Sequence, residues 1–165
     1  MKDKNTAPKL ATPSDLGEEA CASISKALNP LVADAFALYI KTKNFHWHMS
    51  GPHFRDYHLL LDEQADQIFA MIDVLAERVR KIGKTTIHSI QEIGELKTIK
   101  DDNDSFVEAK EMLHRLLNDN KQFRDNMRKA HQIAGDQNDS ATTSILEIFL
   151  DETERRIWFL FEAHI

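Results

Sequence analysis

An all-α chain is predicted: a bundle of four long helices, with one short helix in the connection between its two halves. Three observations predict it. Gly and Pro are scarce, five and four of 165 residues, too few turn formers for a many-stranded sheet protein. Apolar residues recur at i, i+3, i+4 and i+7 over long stretches, the period of a helix with one buried face. These stretches are bounded by capping and stopping residues rather than by hairpin turns. At 165 residues, 42% hydrophobic and 29% charged, the chain is long enough to bury one core and reads as a single domain.

Taken in order, residues 1–13 are polar, contain Pro8 and Pro13, and read as a flexible tail ahead of a domain spanning 14–165. Ser14 or Asp15 caps a short helix carrying Ala20, Ile24, Ala27 and Leu28. Asn29-Pro30 then reads as a new N-cap with Pro at the first helical position. The helix it opens carries Leu31, Ala35, Leu38 and Phe45 and ends at Gly51-Pro52. From Phe54 to Lys81 a third helix buries a stripe of Tyr57, Leu61, Ala65, Ile68, Ile72, Leu75 and Val79, and Gly83 follows its basic last turn. Residues 86–96 make a short helix. Asp104 or Ser105 caps the next long helix, which runs to about 133 and is stopped by Gly135. Asp139 or Ser140 caps the last, with Ile145, Phe149, Trp158 and Leu160 expected in the core.

Charge and composition exclude several classes. The N-terminal stretch has no apolar core, so it is no signal peptide, and no run approaches a membrane span. Cys21 is the one cysteine, which rules out a disulfide framework and a zinc–thiolate cluster. A cytoplasmic protein is expected. The net charge is −6, and the tail holds Lys2, Lys4 and Lys9 against Asp3, so the remainder is more acidic than the total. Such a body is a poor polyanion binder and a good cation binder.

Five potential metal ligands fall in one stretch: His46, His58, Asp62, Asp73 and Glu77. His58 and Asp62 are i and i+4, as are Asp73 and Glu77, so each pair shares a helix face. Asp62 to Asp73 is 11 residues, about 1,100° or close to three turns, so both pairs point the same way about 16 Å apart. Metal–ligand bonds of about 2.0–2.6 Å cannot span that gap. Two copies of the helix crossing antiparallel near residue 67 or 68 remove the conflict, because His58 and Asp62 of one chain then meet Asp73 and Glu77 of the other, twice over. His46 joins through the hairpin at Gly51-Pro52, being about as far before the turn as His58 is after it. Two imidazoles with three carboxylates suit Fe(II), Mn(II) or Zn(II). Any one of these residues is more often a solvated polar side chain; the joint spacing of all five is what carries the reading. The sequence has no His-Glu-x-x-His motif, no Gly-rich phosphate loop, and not the two Glu-x-x-His motifs on separate helices that build a di-iron site inside a bundle.

The segment 41–54, Lys-Thr-Lys-Asn-Phe-His-Trp-His-Met-Ser-Gly-Pro-His-Phe, continuing through His58-Leu59-Leu60-Leu61-Asp62-Glu63 and Asp73-Val74-Leu75-Ala76-Glu77-Arg78, closely resembles the signature of the Dps family, the DNA-protection-during-starvation proteins or mini-ferritins. The likeness covers nearly the whole chain after the tail and departs at no ligand position. It implies a ferritin-like four-helix bundle assembled through two-fold dimer contacts into a hollow dodecamer. It implies a ferroxidase that oxidises Fe(II), preferentially with hydrogen peroxide, stores the ferric mineral and so protects DNA. His46, His58 and Asp62 of one subunit, with Asp73 and Glu77 of its partner, match the family's ligands, and the matching Trp beside the site, Trp47, takes up stray oxidising equivalents. Packing at the dimer contact is an equally good reading of Trp47. Glu63 matches a position tied to mineral nucleation, though a solvated carboxylate suits it better, and Asp136 and Asp139 are pore residues or helix caps. His48, His53, His88, His114 and His131 read as surface or packing residues. Two further functions compete. One is a DNA-binding nucleoid-architectural protein with secondary iron chemistry, against which the acidic body argues: weak or absent DNA binding is expected. The other is a shell that holds zinc or manganese in the same ligands without redox turnover.

Overall fold

The computed structural model describes residues 7–165. Five α-helices are present among them: α1 (Glu18–His48), α2 (Phe54–Lys81), the short α3 (Ile90–Leu96), α4 (Ala109–Asp136) and α5 (Ser140–His164). α1 and α2 form one antiparallel hairpin and α4 and α5 the other. α1 packs on α4, α2 on α5, and α3 lies against α1. The four long helices close around one apolar core that includes Ile24, Leu28, Leu38, Phe45, Leu61, Ile68, Leu75, Leu116, Phe123, Leu146 and Leu160. The expected all-α bundle with a short middle helix is the observed architecture.

The first two expected helices are one. α1 runs unbroken through Pro30. An interior proline loses one hydrogen bond and crowds the carbonyl four residues back, a cost of about 3 kcal/mol. Ile24, Leu28, Leu31, Val32 and Leu38 on the same helix are all at most 1% exposed, and burying each contributes about 1.5–3 kcal/mol. Continuity of the buried face therefore outweighs the local break. Asn29, expected as an N-cap, instead donates from its side-chain amide to the Thr85 carbonyl at 3.1 Å, tying α1 to the chain beyond α2.

α4 begins at Ala109 rather than at Asp104 or Ser105. The carboxylates of Asp102 and Asp104 are both taken by Arg115, at 2.8 and 2.7 Å, which holds the preceding segment extended against the helix. Asp34, fully buried on α1, pins the same connection by accepting from the backbone N–H of Thr98 and Ile99 and from the side chains of Thr98 and Asn126. At the other end α4 continues through Gly135 to Asp136, and Asn138 makes the turn at φ 58°. Asp139 then caps α5, its carboxylate accepting from Thr142 N–H at 3.0 Å and pairing with Arg78.

The buried positions of α5 are Thr142, Leu146, Phe149, Leu150, Thr153, Arg156 and Leu160. Trp158, expected in the core, is 60% exposed, and Arg156 is 1% exposed. The stripe steps by three and four residues, so register sets which side chain turns inward and hydrophobicity does not. The Arg156 guanidinium donates to Asn120 Oδ1 at 3.0 Å and Thr153 Oγ1 at 2.7 Å. Burial pushes its pKa down to about 10, so it remains a cation near neutral pH.

Residues 7–13, assigned to the tail, cross the C-terminal end of α2. Arg80 donates to the Leu10 carbonyl at 2.7 Å, and a Cβ built on Gly83 would lie 2.5 Å from the Thr12 carbonyl oxygen. Gly83 also has φ +80°. Residues 1–6, which carry Lys2 and Lys4, lie outside the described residues. Gly83→Ala should therefore destabilise the protein by about 2 kcal/mol or more from the left-handed backbone and the clash together. The expected drop in melting midpoint is roughly 4–8 °C. A drop limited to the roughly 1–2 kcal/mol of the left-handed backbone alone would mean that the 7–13 segment does not pack on this turn in solution.

Candidate metal centre

The α1–α2 hairpin turns at Gly51, whose φ of +105° a side chain would disfavour. The hairpin brings His46, near the end of α1, beside His58, in the second turn of α2. Their rings stack with centroids 3.7 Å apart and planes 19° from parallel. His46 Nδ1 lies 2.8 Å from the His58 carbonyl oxygen, and His58 Nδ1 lies 2.9 Å from that of His46. A carbonyl only accepts, so each Nδ1 carries the proton and donates. In the neutral imidazole the lone pair then sits on Nε2, the form and atom a metal ligand requires. The reciprocal pair thus fixes both tautomers with backbone groups alone.

Asp62, one turn beyond His58 on α2, places Oδ1 3.8 Å from His46 Nε2. The same oxygen accepts from Lys43 Nζ at 2.5 Å. The hydrogen bond from Lys43, reinforced by the lysine's charge against a smaller opposing effect of burial, holds the Asp62 carboxyl below the usual carboxylate range. It holds the Lys43 ammonium above its ordinary value. Sequence reasoning passed over Lys43. Its signal was available, since it lies one turn before His46 on the same helix.

Of the five predicted ligands one chain brings His46 against His58, and Asp62 within 3.8 Å of His46. Asp73 and Glu77 are exposed on α2, far along the axis from the histidines, and Glu77 pairs only with Lys81 across one helix turn at 3.2 Å. Exposed pairs of this kind contribute about 0–1 kcal/mol, so both carboxylates are available to another partner. Among the described residues no three His, Cys, Asp or Glu side chains of one chain converge closely enough to hold an ion.

Trp47, beside His46, is 62% exposed. Glu63 is exposed and ion-paired with Arg155 at 3.0 Å. Asp136 accepts from Gln132, and Asp139 is the buried cap described above. His48 bonds back to Asn44, His88 to Glu92 and His131 to Glu147, all on the surface. The one Glu-x-x-His of the chain, Glu111 to His114, faces outward, where His114 stacks on His164. Inside the bundle the corresponding space is taken by Arg156 with Asn120, Gln64 and Met71. A buried guanidinium there repels a cation, so the bundle interior of this chain is not a metal site.

A ferritin-like domain model matches residues 25–164. The DNA protection during starvation protein of Brevibacillus brevis is 31% identical over 137 residues, covering 83% of this chain and 91% of that protein. A low temperature-induced protein of Nostoc is 33% identical over 146 residues, covering 88% of this chain and 82% of its own. Among solved structures, DpsC from Streptomyces coelicolor superposes with a TM-score of 0.90 at 28% identity over 93% of this chain and 90% of that one. With the hairpin, the short middle helix and the site segment all in place, this chain belongs to the Dps family of ferritin-like proteins.

Proposed function

We propose that this protein detoxifies and stores iron, oxidising Fe(II) as substrate, with hydrogen peroxide as the preferred oxidant, at centres shared between two subunits. The observation that carries the reading is the reciprocal His46–His58 pair, which leaves both Nε2 lone pairs unprotonated and sets that of His46 3.8 Å from the Asp62 carboxylate. Membership of the Dps family supports it, as does the donor set. Two imidazoles and carboxylate oxygen suit Fe(II), and Zn(II) and Mn(II) compete for the same ligands.

Asp73 and Glu77 of a partner subunit complete each centre. Supporting this, they are exposed on α2, as are the apolar side chains Leu59, Phe69 and Val74, and Ile40 and Trp47 of α1 are exposed too. Several large apolar side chains left exposed on one helix hairpin are what a subunit contact covers. A two-fold crossing near residue 67 makes two centres per dimer, and six dimers build a hollow shell of twelve. The chemistry balances when two Fe(II) each give one electron to one peroxide, which leaves as two hydroxide equivalents. Paired electron transfer releases less hydroxyl radical than single-electron reduction. Trp47, exposed and next to His46 in the chain, is the residue assigned to take up a stray one-electron oxidant. Anaerobic addition of Fe(II) followed by peroxide should raise ferric absorbance with iron retained in the shell; Fe(II) that stays unoxidised, or ferric product that precipitates outside the protein, would overturn the reading.

Binding DNA as an architectural protein is the second reading, favoured only by the lysines of the tail. Duplex affinity falls with a slope of roughly −0.9 per neutralised phosphate as salt rises. Three lysines per chain allow few contacts, although several tails on one shell add avidity. The expectation is little or no gel retardation near 150 mM salt and modest retardation at low salt, abolished by removing residues 1–13. Tight binding at physiological salt, or binding that survives the truncation, would point to a basic surface elsewhere and to the architectural role. Among the described residues no helix is long and apolar enough to cross a membrane.

A further inference from the structure

Lys43 stands on α1 one turn before His46, and its ammonium holds Asp62 Oδ1 at 2.5 Å, the same oxygen that lies 3.8 Å from His46 Nε2. The lysine side chain is 16% exposed and the aspartate 45%, so the amine reaches the carboxylate from within the hairpin while the other side of Asp62 stays open. We propose that Lys43 is an internal competitor for the centre, a tethered cation that must give up Asp62 before a divalent ion can take that carboxylate. The inference rests on the metal-site reading given above and adds to it a residue that sets affinity.

Two features of the geometry favour competition over simple support. Asp62 needs no lysine to be positioned, because α2 already places it one turn from His58, and the histidines are oriented by backbone carbonyls alone. A displaced ammonium also has somewhere to go. Asp66, one turn further along α2, is exposed. An ammonium displaced by an entering ion thus has a second carboxylate one helix turn from Asp62 to turn towards. The consequence is a centre tuned to bind its ion weakly enough to pass it on, as a protein that moves iron into a store requires.

Competition and support predict opposite signs. The test is Zn(II) affinity, measured by calorimetry on chelator-stripped, assembled protein with no oxidant present, for wild type, Lys43→Met, Lys43→Arg, Asp62→Asn and the Lys43→Met/Asp62→Asn double variant. Met keeps the length and the apolar stem while removing the charge. Lys43→Met should bind Zn(II) about tenfold more tightly, the factor that 1.4 kcal/mol of lost competition represents. Lys43→Arg should stay near wild type, and the gain should vanish in the Asp62→Asn background. Lys43→Gln replaces the Met variant if that one fails to assemble. Unchanged or weaker binding in the charge-removing variant overturns the proposal and makes Lys43 a support for Asp62. Unchanged binding in Asp62→Asn alone would overturn the metal-site reading itself, and the role of Lys43 with it.

Discussion

Replacing His46 by alanine, or Asp73 and Glu77 together by alanine, is expected to abolish rapid Fe(II) oxidation while leaving the shell assembled. Losing a partner that only orients a metal ligand costs about 10–100-fold, and removing a ligand should exceed that. The two variants attack the centre from opposite sides. His46 is 8% exposed and donates to the His58 carbonyl, so its loss also removes that donor and the ring stacked on His58, whose own Nδ1–H keeps the backbone carbonyl of residue 46. Asp73 and Glu77 are exposed, and the chain folds without using them beyond the Glu77–Lys81 pair. The double variant is therefore the cleaner probe, with little expected effect on monomer stability. Stopped-flow ferric absorbance reads the rate, and light scattering reads assembly. Wild-type rates in both variants would show that the oxidation site lies elsewhere.

His58→Ala and Glu77→Ala should each be inactive alone, yet regain activity when unfolded together and refolded as mixed dimers. In a mixed dimer one centre carries both defects, while the other receives His46, His58 and Asp62 from one chain and an intact Asp73 and Glu77 from its partner. With random pairing half of the dimers are mixed and half of their centres are whole, so recovery of about one quarter of the wild-type rate is expected. A site built within one chain predicts no recovery at all. Mixed dimers must be shown to form, by native mass spectrometry of two chains of distinguishable mass, and inactivity in their presence would refute the shared centre.

Much of this was legible along the chain, because it depends on short-range spacing. Phe54–Lys81 is a helix with the expected bounds, Gly83 ends it at positive φ, and Asp139 caps the last helix. A hairpin turning at Gly51 brings His46 to His58 for the same reason, since residues equally far from a tight turn end side by side. Caps, turns and i, i+4 pairs involve a few neighbouring residues, and their physics is complete in the local sequence.

What required the folded chain involves partners far apart in sequence. Pro30 reads as a break, and only the apolar face buried against the other helices keeps α1 continuous through it. Asp104 looks like a cap until Arg115, more than ten residues on, claims it together with Asp102. Trp158, expected in the core, faces out and Arg156 faces in because the inward stripe of α5 is set by its register, with Asn120 and Thr153 receiving the guanidinium. Lys43 meets Asp62 only through the hairpin, across 19 residues of chain. In each case a long-range partner supplies the hydrogen bond or buried area that decides between two locally acceptable conformations. Local pattern can show which residues are able to hold an ion. Which of them hold one another in the meantime is decided by packing.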